Sequence, residues 1–511
     1  MTYPTVRGPG TPETRQKLRR ELKSGFRRAL GLTVLGTIVP GAGLTQTRSR
    51  RIGWVLLVIA LASAAFLAYY VLTTGVTNAA LSLVARPSVL IAAAVVFVLG
   101  GILWCGSIIL TAIQSRPARL DRTRTRFLAA FTTLLVFVVA ASSFKVAEYA
   151  TITQSTVSQV FGTTPVKPGQ GAQVAEGEDP WAKQARVNIL LIGSDAGADR
   201  VGIRTDSMIL ASIDTKTGRT ALISMPRNLL NAPLAPSSPL RALYRSGSFG
   251  SPDSTCDQGA GQCMLTNLYV DAENYAKAHP HAYPAGESPG RTEIRGTVQE
   301  ITGLKVDQMV VIDLRGFSQL IDAMGGLDIN VKLSAYGTKL TIGGEHDASG
   351  RLFGVKGYFQ PGFQHLDGWH SLWYARTRAS DDDTHRQMRQ RCVVQAIVKQ
   401  VNPAEMVGKY PEIAKILKDN IFTDIPAQNL PAFVDLVERV QKAKINSVAL
   451  TSTEGVYSSN PDYDLVRKLI QKGIAAPKPK PSSGSSGGTS STPTKTRTST
   501  PSPTTTPYEQ C

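Results

Sequence analysis

The sequence predicts a three-span membrane anchor followed by an α/β domain and a low-complexity tail. Three observations carry this reading. Residues 53–147 contain three apolar runs of membrane-crossing length. Residues 186–475 alternate strand-length apolar runs with helical patterns that end in Gly or Pro. Residues 476–511 are mostly Ser, Thr, Pro, Lys and Gly, with almost nothing apolar to drive folding, which predicts a disordered tail.

Residues 1–52 form a basic segment, with Arg15, Lys17, Arg19, Arg20, Lys23, Arg27 and Arg28 before an apolar stretch and Arg48, Arg50 and Arg51 after it. That stretch, Ala29–Thr45, is short, basic on both flanks and broken by Pro40, Gly41 and Gly43, so it reads as interfacial or re-entrant. Gly53–Leu72, Val89–Ile113 and Phe127–Ala147 are each about the length a helix needs to cross a bilayer. The loop between the second and third carries Arg116, Arg119, Arg122, Arg124 and Arg126, whereas the loop between the first and second carries Arg86 alone. The positive-inside rule then places the N-terminus in the cytoplasm and everything after Ala147 outside. Much of the net charge of +18 is therefore topological. A membrane-bound transcriptional regulator is excluded, because the cytoplasmic segment is short, lacks a helix-turn-helix pattern and keeps its charge beside the bilayer. No nucleic-acid partner is expected.

None of the five cysteines forms a CxxC pair, and the six histidines have no zinc-protease spacing. Cys256 and Cys263 lie close together in a loop-rich, extracytoplasmic stretch, which favours a local disulfide. Cys392 falls on a helical pattern, as a small buried apolar residue.

After a polar connector at 148–185, the apolar run Val187–Ile192 predicts a strand buried on both faces. Ser207–Ile213 and Thr220–Ser224 read as two further strands joined by a turn. Helices are predicted at 263–279, 291–302, 317–324, 366–376, 384–402, 403–418, 427–442 and 463–472. The remaining strands are Met309–Asp313, Leu327–Leu333 and Ile445–Leu450.

The chemistry concentrates in Trp373–Arg391, WYARTRASDDDTHRQMRQR. Arg376 and Arg378 alternate on an extended segment, and Arg386, Arg389 and Gln390 share one face of a helix capped by Asp383 or Thr384. Guanidinium forks suit phosphate oxygens, although most charge runs are solvated, salt-bridged faces. Three earlier sites share the same character: IGSD, with Asp195, RTD, with Arg204 and Asp206, and SMPRN, with Arg227, each beside a predicted strand. Each residue alone is more often a cap or a surface group. If the strands neighbour one another, Asp195, Asp206 and Arg227 sit near one edge of the sheet. Two carboxylates without a histidine or thiolate partner suit a hard, oxygen-preferring ion such as Mg2+. Arg389 and Arg391 read as surface groups or as supports of the site.

The ordered set NILLIGSD, RTDSMIL, SMPRN, FSQLIDAMGGLDINV, HLDGWHSLWYARTR and DDDTHRQMRQR resembles the LytR–CpsA–Psr family of cell-envelope glycopolymer transferases, over roughly residues 186–402 and an extension to 475. The PRN version of the third motif and the RCVVQAI run resemble its actinobacterial branch, whose wall polymers include arabinogalactan. The resemblance implies a central mixed β-sheet flanked by helices. It also implies phosphotransfer of a glycopolymer, such as a teichoic acid or arabinogalactan, from a polyprenyl-pyrophosphate carrier onto peptidoglycan with Mg2+ assistance. Matched position by position, it makes Asp195 and Asp206 metal-binding acids and Arg204 a residue of the same motif in the pyrophosphate site. Arg227, Arg376, Arg378, Arg386 and Gln390 become the other pyrophosphate contacts, and Asp383 a base for the incoming hydroxyl. Asn228 stands where many members carry Asp, so no carboxylate role falls there. A pyrophosphatase using the same site, and a non-catalytic membrane-anchored binder of wall polymer, are the alternatives.

Overall fold

A computed structural model describes residues 12–160, 181–195, 204–250 and 263–475, apart from 76–78, 80–86, 119, 182, 348, 403–404, 407–408 and 427–428. Cys256, Cys511 and the 476–511 tail lie outside the described residues. The chain divides into two units, Met1–Val157 and Ser158–Cys511.

The first unit is helical: α1 (Pro12–Ile38), α2 (Arg50–Thr74), α3 (Pro87–Ser115) and α4 (Arg122–Val160). Three of its helices are long and apolar enough to cross a membrane, over Arg50–Thr74, Val89–Ser115 and Arg122–Thr153. Their apolar faces are largely uncovered by protein, as lipid-facing helices require. The stretch Ala29–Thr45 is the end of α1 and the turn after it rather than a separate segment. Trp104 donates its indole N–H to the Gly36 carbonyl at 2.9 Å, and Gln114 its amide to Ser49 at 2.8 Å, tying α1 and that turn to α3. The start of the predicted connector is also helical, because α4 continues to Val160.

The second unit is built on a mixed six-stranded sheet. Its first strands are β1 (Arg186–Ser194), β2 (Thr205–Asp214) and β3 (Thr220–Met225), followed by the two-residue pair β4 (Ala232–Pro233) and β5 (Ser248–Phe249). Helices α5 (Leu268–Ala278) and α6 (Pro289–Thr302), strand β6 (Gln308–Asp313), helix α7 (Leu314–Met324) and strand β7 (Leu327–Val331) come next. A hairpin of β8 (Thr341–His346) and β9 (Leu352–Tyr358) precedes β10 (Gly362–Leu366), α8 (Gly368–Arg376) and α9 (Asp383–Gln400). The unit closes with α10 (Tyr410–Asn420), β11 (Ile421–Thr423), α11 (Leu430–Lys442), β12 (Ile445–Ala449) and α12 (Tyr463–Ile474). The sheet order is β11-β6-β1-β2-β3-β12, with β1–β6 and β3–β12 parallel and the other pairs antiparallel.

The continuous apolar character of β1 has the reason expected of it. Leu190, Ile192, Leu210 and Ile223 pack with Leu268, Ile294, Val298 and Ile470 from α5, α6 and α12. On the opposite face Leu191, Ile209 and Leu222 pack with Val394 of α9, and Ile189 and Ile213 with Phe433 and Leu436 of α11. Period-two alternation thus serves two helical layers at once. A separate core around Ile321, Leu327, Ile342, Phe359, Tyr374 and Val393 joins α7, β7, β8, α8 and α9.

Several boundaries differ from the sequence reading. The helices predicted from 403 and 427 are described over Tyr410–Asn420 and Leu430–Lys442, with 403–404, 407–408 and 427–428 outside the described residues; each has proline as its second residue, where its missing N–H and fixed φ suit a first turn. The hairpin β8–β9 and the strands β10 and β11 were not expected. Gly343, Gly344, Gly354 and Gly357 interrupt alternation in the hairpin, and β11 is three residues long, too short for a periodic signal.

Candidate functional site

The β1–β2–β3 register brings the three short motifs together. Gly193 pairs with Ser207 but Ser194 with Thr205, so Asp206 is the extra residue of a bulge. Met208 pairs with Met225, which puts Arg227 two residues beyond β3 at the same end of the sheet. Asp195, Asp206 and Arg227 do share one sheet edge. Asp206 accepts a charge-assisted hydrogen bond from Arg227 Nη1 at 2.6 Å. Asp195 is 4% exposed and its Oδ1 accepts the Arg204 backbone N–H at 3.0 Å. The Arg204 side chain is exposed and does not line the cavity described below.

The Arg-rich stretch folds as helix, turn, helix. Asp367 caps α8 by accepting the His370 N–H at 2.8 Å. Gly368 lets α8 lie against α7, since a Cβ there would stand 1.9 Å from the Ser318 carbonyl oxygen. Arg376 is therefore the last residue of α8 and Arg378 follows its cap, rather than the two alternating on an extended segment. Asp382, not Asp383 or Thr384, caps α9, accepting the His385 N–H at 2.8 Å. Asp383 is freed for the site. Its Oδ1 lies 2.8 Å from Arg386 Nη2 and 4.0 Å from Arg227 Nε, and its Oδ2 accepts from Gln387 Nε2 at 3.0 Å.

These residues adjoin a cavity of about 400 Å3. Asp206, Arg227, Arg376, Arg378, Arg386 and Gln390 line it together with a long apolar wall that includes Leu191, Val310, Phe317, Leu320, Leu372 and Val394. Ser207 donates to Gln390 Oε1 at 3.1 Å and so fixes α9 to β2. Burial lowers the pKa of Arg386; Asp383 opposes that, and the like charges of Arg227 and Arg378 add to it. Arg386 is 4% exposed, and its Nε is buried with no hydrogen-bond partner among the described residues. Four arginines line this wall with two carboxylates, Asp206 and Asp313, and Asp383 lies beside it against Arg386 and Arg227; Asp313 also caps α7, accepting the Gly316 N–H at 2.6 Å. The arginines still outnumber the acids, an electrostatic cost that an anionic ligand would relieve.

Arg389 and Arg391, read from the sequence as surface groups or as supports of the site, are both buried. Arg389 is buried, donating to the carbonyls of Tyr374 and Thr377 and pairing with Asp381 at 2.7 Å. It does not line the cavity and locks the turn between α8 and α9. Arg391 is 6% exposed, and burial pushes it down to about 10. A surface placement is thus overturned for both. Cys392 is also corrected: it is buried as expected but disulfide-bonded, as is Cys263, whose expected partner Cys256 lies outside the described residues. Asp381, Asp382 and His385 bring their donor atoms together, but Asp381 already holds Arg389 and Asp382 caps α9. Ser207 and Gln387 support the site without having been singled out. Their only sequence signal is position, one residue after Asp206 and one after Arg386.

Several known proteins are similar to this chain. The chain is 26% identical over 354 residues to Biofilm regulatory protein A of Streptococcus mutans, covering 67% of this chain and 73% of that protein. It is 25% identical over 280 residues to the polyisoprenyl-teichoic acid–peptidoglycan teichoic acid transferase TagV of Bacillus subtilis, covering 53% of this chain and 59% of TagV. The crystal structure of B. subtilis TagV is similar at 22% identity and a TM-score of 0.38, covering 57% of this chain and 98% of that one. The LytR_cpsA_psr family model matches residues 137–233 and 267–475, more than half of the chain. The chain belongs to the LytR_cpsA_psr family.

Proposed function

We propose that the protein is a phosphotransferase that moves a glycopolymer from a polyprenyl-pyrophosphate carrier onto peptidoglycan, outside the cell membrane. The observation that carries this reading is the gathering of Arg227, Arg376, Arg378 and Arg386 at one part of a cavity whose wall is mostly apolar. A lipid pyrophosphate matches both halves: the chain fills the apolar part and the phosphates answer the surplus of positive charge. The relatives' activity supports it, since TagV is named a transferase of polyisoprenyl-linked teichoic acid to peptidoglycan.

In this reaction an acceptor hydroxyl oxygen forms a bond to the sugar-bearing phosphorus. The bond from that phosphorus to the bridging oxygen breaks, and polyprenyl phosphate leaves with that oxygen. Asp383 takes the hydroxyl proton, held in place by Arg386 and Gln387. Arg227, Arg378 and Arg386 neutralise charge on the transferring and leaving groups, which is the main demand of phosphoryl transfer. Gln390, fixed by Ser207, offers its amide N–H to a phosphate oxygen. Asp195 and Asp206, each with one oxygen given to a protein donor, are the hard oxygen ligands that would hold Mg2+, and the ion would add charge neutralisation at the pyrophosphate. The three apolar helices anchor the chain with its N-terminus in the cytoplasm and this domain outside.

The test is an assay with a lipid-linked glycan donor and purified peptidoglycan, measuring both polyprenyl phosphate release and wall-bound glycan. Acceptor-dependent release that disappears in Arg227→Ala is the expected result. Release independent of acceptor would assign the site to hydrolysis, and full glycan attachment by Arg227→Ala would leave only a binding role.

A further inference from the structure

Arg376 and Arg378 line a second cavity as well. It measures about 730 Å3, and these two arginines are the lining residues it has in common with the first. The rest of its wall comes from the β8–β9 hairpin and the end of α8, and its character is different. Glu345, His346, Lys356 and Thr377 offer polar groups there, beside the aromatic rings of Phe353 and Trp373. Phe353 is 50% exposed, an unusual setting for a large apolar ring within a polar groove. Lys356 Nζ lies 5.7 Å from the centre of the Trp373 ring and the Arg376 guanidinium carbon 5.4 Å from it, so two of the cations are held by one aromatic side chain. Gly354 has φ +69°, and a Cβ built on it would meet nothing within 4 Å, so the strand presents bare backbone to open space. Backbone of this kind allows close approach by a ligand.

Pyranose rings need this combination: an exposed aromatic face for the C–H side of the ring, and mixed donors and acceptors for hydroxyls. Lys356, Arg376 and Arg378 against Glu345 make the cavity net cationic, which favours an acidic glycan. A diphosphate held at the shared arginines has two substituents. If the lipid enters the apolar cavity, the sugar side lies toward the polar one.

We propose that the second cavity is a carbohydrate subsite, in which Phe353 stacks on a sugar ring next to the phosphate and Lys356 and Glu345 bind its hydroxyl or anionic groups. The inference rests on the phosphotransferase reading and names the part of the substrate that reading leaves unplaced. The sugar belongs either to the donor glycan or to the peptidoglycan acceptor.

Binding to the full chain in detergent separates these. The probes are geranylgeranyl pyrophosphate, which has no sugar, and the same pyrophosphate carrying N-acetylglucosamine. Transfer to isolated peptidoglycan is measured in parallel. In Phe353→Ala and Lys356→Ala, affinity for the sugar-free probe is expected to stay within about twofold. Affinity for the sugar-bearing probe falls by about tenfold, the loss expected of one stacked ring or one charge-assisted hydrogen bond. That result places the donor sugar in the cavity. Unchanged donor affinity with a KM for peptidoglycan raised by a similar factor places the acceptor there. Phe353→Trp, which keeps a stacking face, restores whichever quantity Phe353→Ala lost. If neither quantity moves in either variant, the subsite is overturned. Failure of the unsubstituted protein to bind geranylgeranyl pyrophosphate would instead count against the phosphotransferase reading.

Discussion

Helix α9 carries two kinds of arginine, three residues apart. Arg386 sits in the cavity wall among other arginines, with a carboxylate on one side and an unpartnered Nε. Arg389, less than one turn later, is as deeply buried but satisfied, with an acid and two carbonyls around its guanidinium. Both are costly to bury. Arg389 has its compensation inside the protein, and Arg386 is left with part of its own to receive from a ligand. Between these two residues, the surplus charge is the one that faces the cavity, and the balanced charge is the one that holds the turn.

The contrast can be broken by exchanging the expected outcomes. Arg389→Ala takes the guanidinium away from the buried Asp381 carboxylate and from two carbonyls, so unfolding in urea should show a loss of about 3 kcal/mol, with activity falling only as the folded fraction falls. Arg386→Ala should leave the unfolding midpoint near that of the unsubstituted protein but lower the transfer rate about 10²–10³-fold, the usual effect of removing one preorganised charge-stabilising donor. If Arg389→Ala instead abolished turnover without loss of stability, the division between the two arginines would fail.

Asp271 sharpens the comparison from outside the site. Burial pushes its carboxyl up to about 6, above the ordinary aspartate value of about 3.9. Between those values the native state binds more protons than the unfolded state, so stability is lost as pH rises through about 6. Asp271→Asn removes that loss. The variant should unfold at a higher urea concentration than the unsubstituted protein at about pH 7.5, with the gain vanishing near pH 3.5. A constant difference across the range would show that the carboxyl's ionisation is not the cause. The smallest expected effect is that of Ser207→Ala, which removes one neutral hydrogen bond to Gln390. It should cost about 1 kcal/mol in urea unfolding and slow transfer severalfold by loosening α9 against β2.

The strands and the site were legible to different depths. β1, β2 and β3 were readable because apolar runs buried on both faces leave few alternatives. Asp195, Asp206 and Arg227 could be placed at one edge once those strands were adjacent. The β8–β9 hairpin was hidden by its glycines, and with it the polar cavity it frames. The roles of Arg389 and Arg391 were illegible for another reason. Whether a guanidinium is paired depends on carbonyls and acids brought in by the turn after α8, such as Thr377 and Asp381. Choosing Asp382 as the cap of α9 depended in the same way on which of three consecutive acids reaches the His385 N–H.

The central claim, that the arginine cluster receives a lipid pyrophosphate, is tested most directly by titrating geranylgeranyl pyrophosphate into the full chain and into Arg386→Ala. The account predicts saturable binding by the unsubstituted protein and a loss of affinity of at least about tenfold in the variant, as for a hydrogen bond to a charged group. Equal affinity in the two would contradict it.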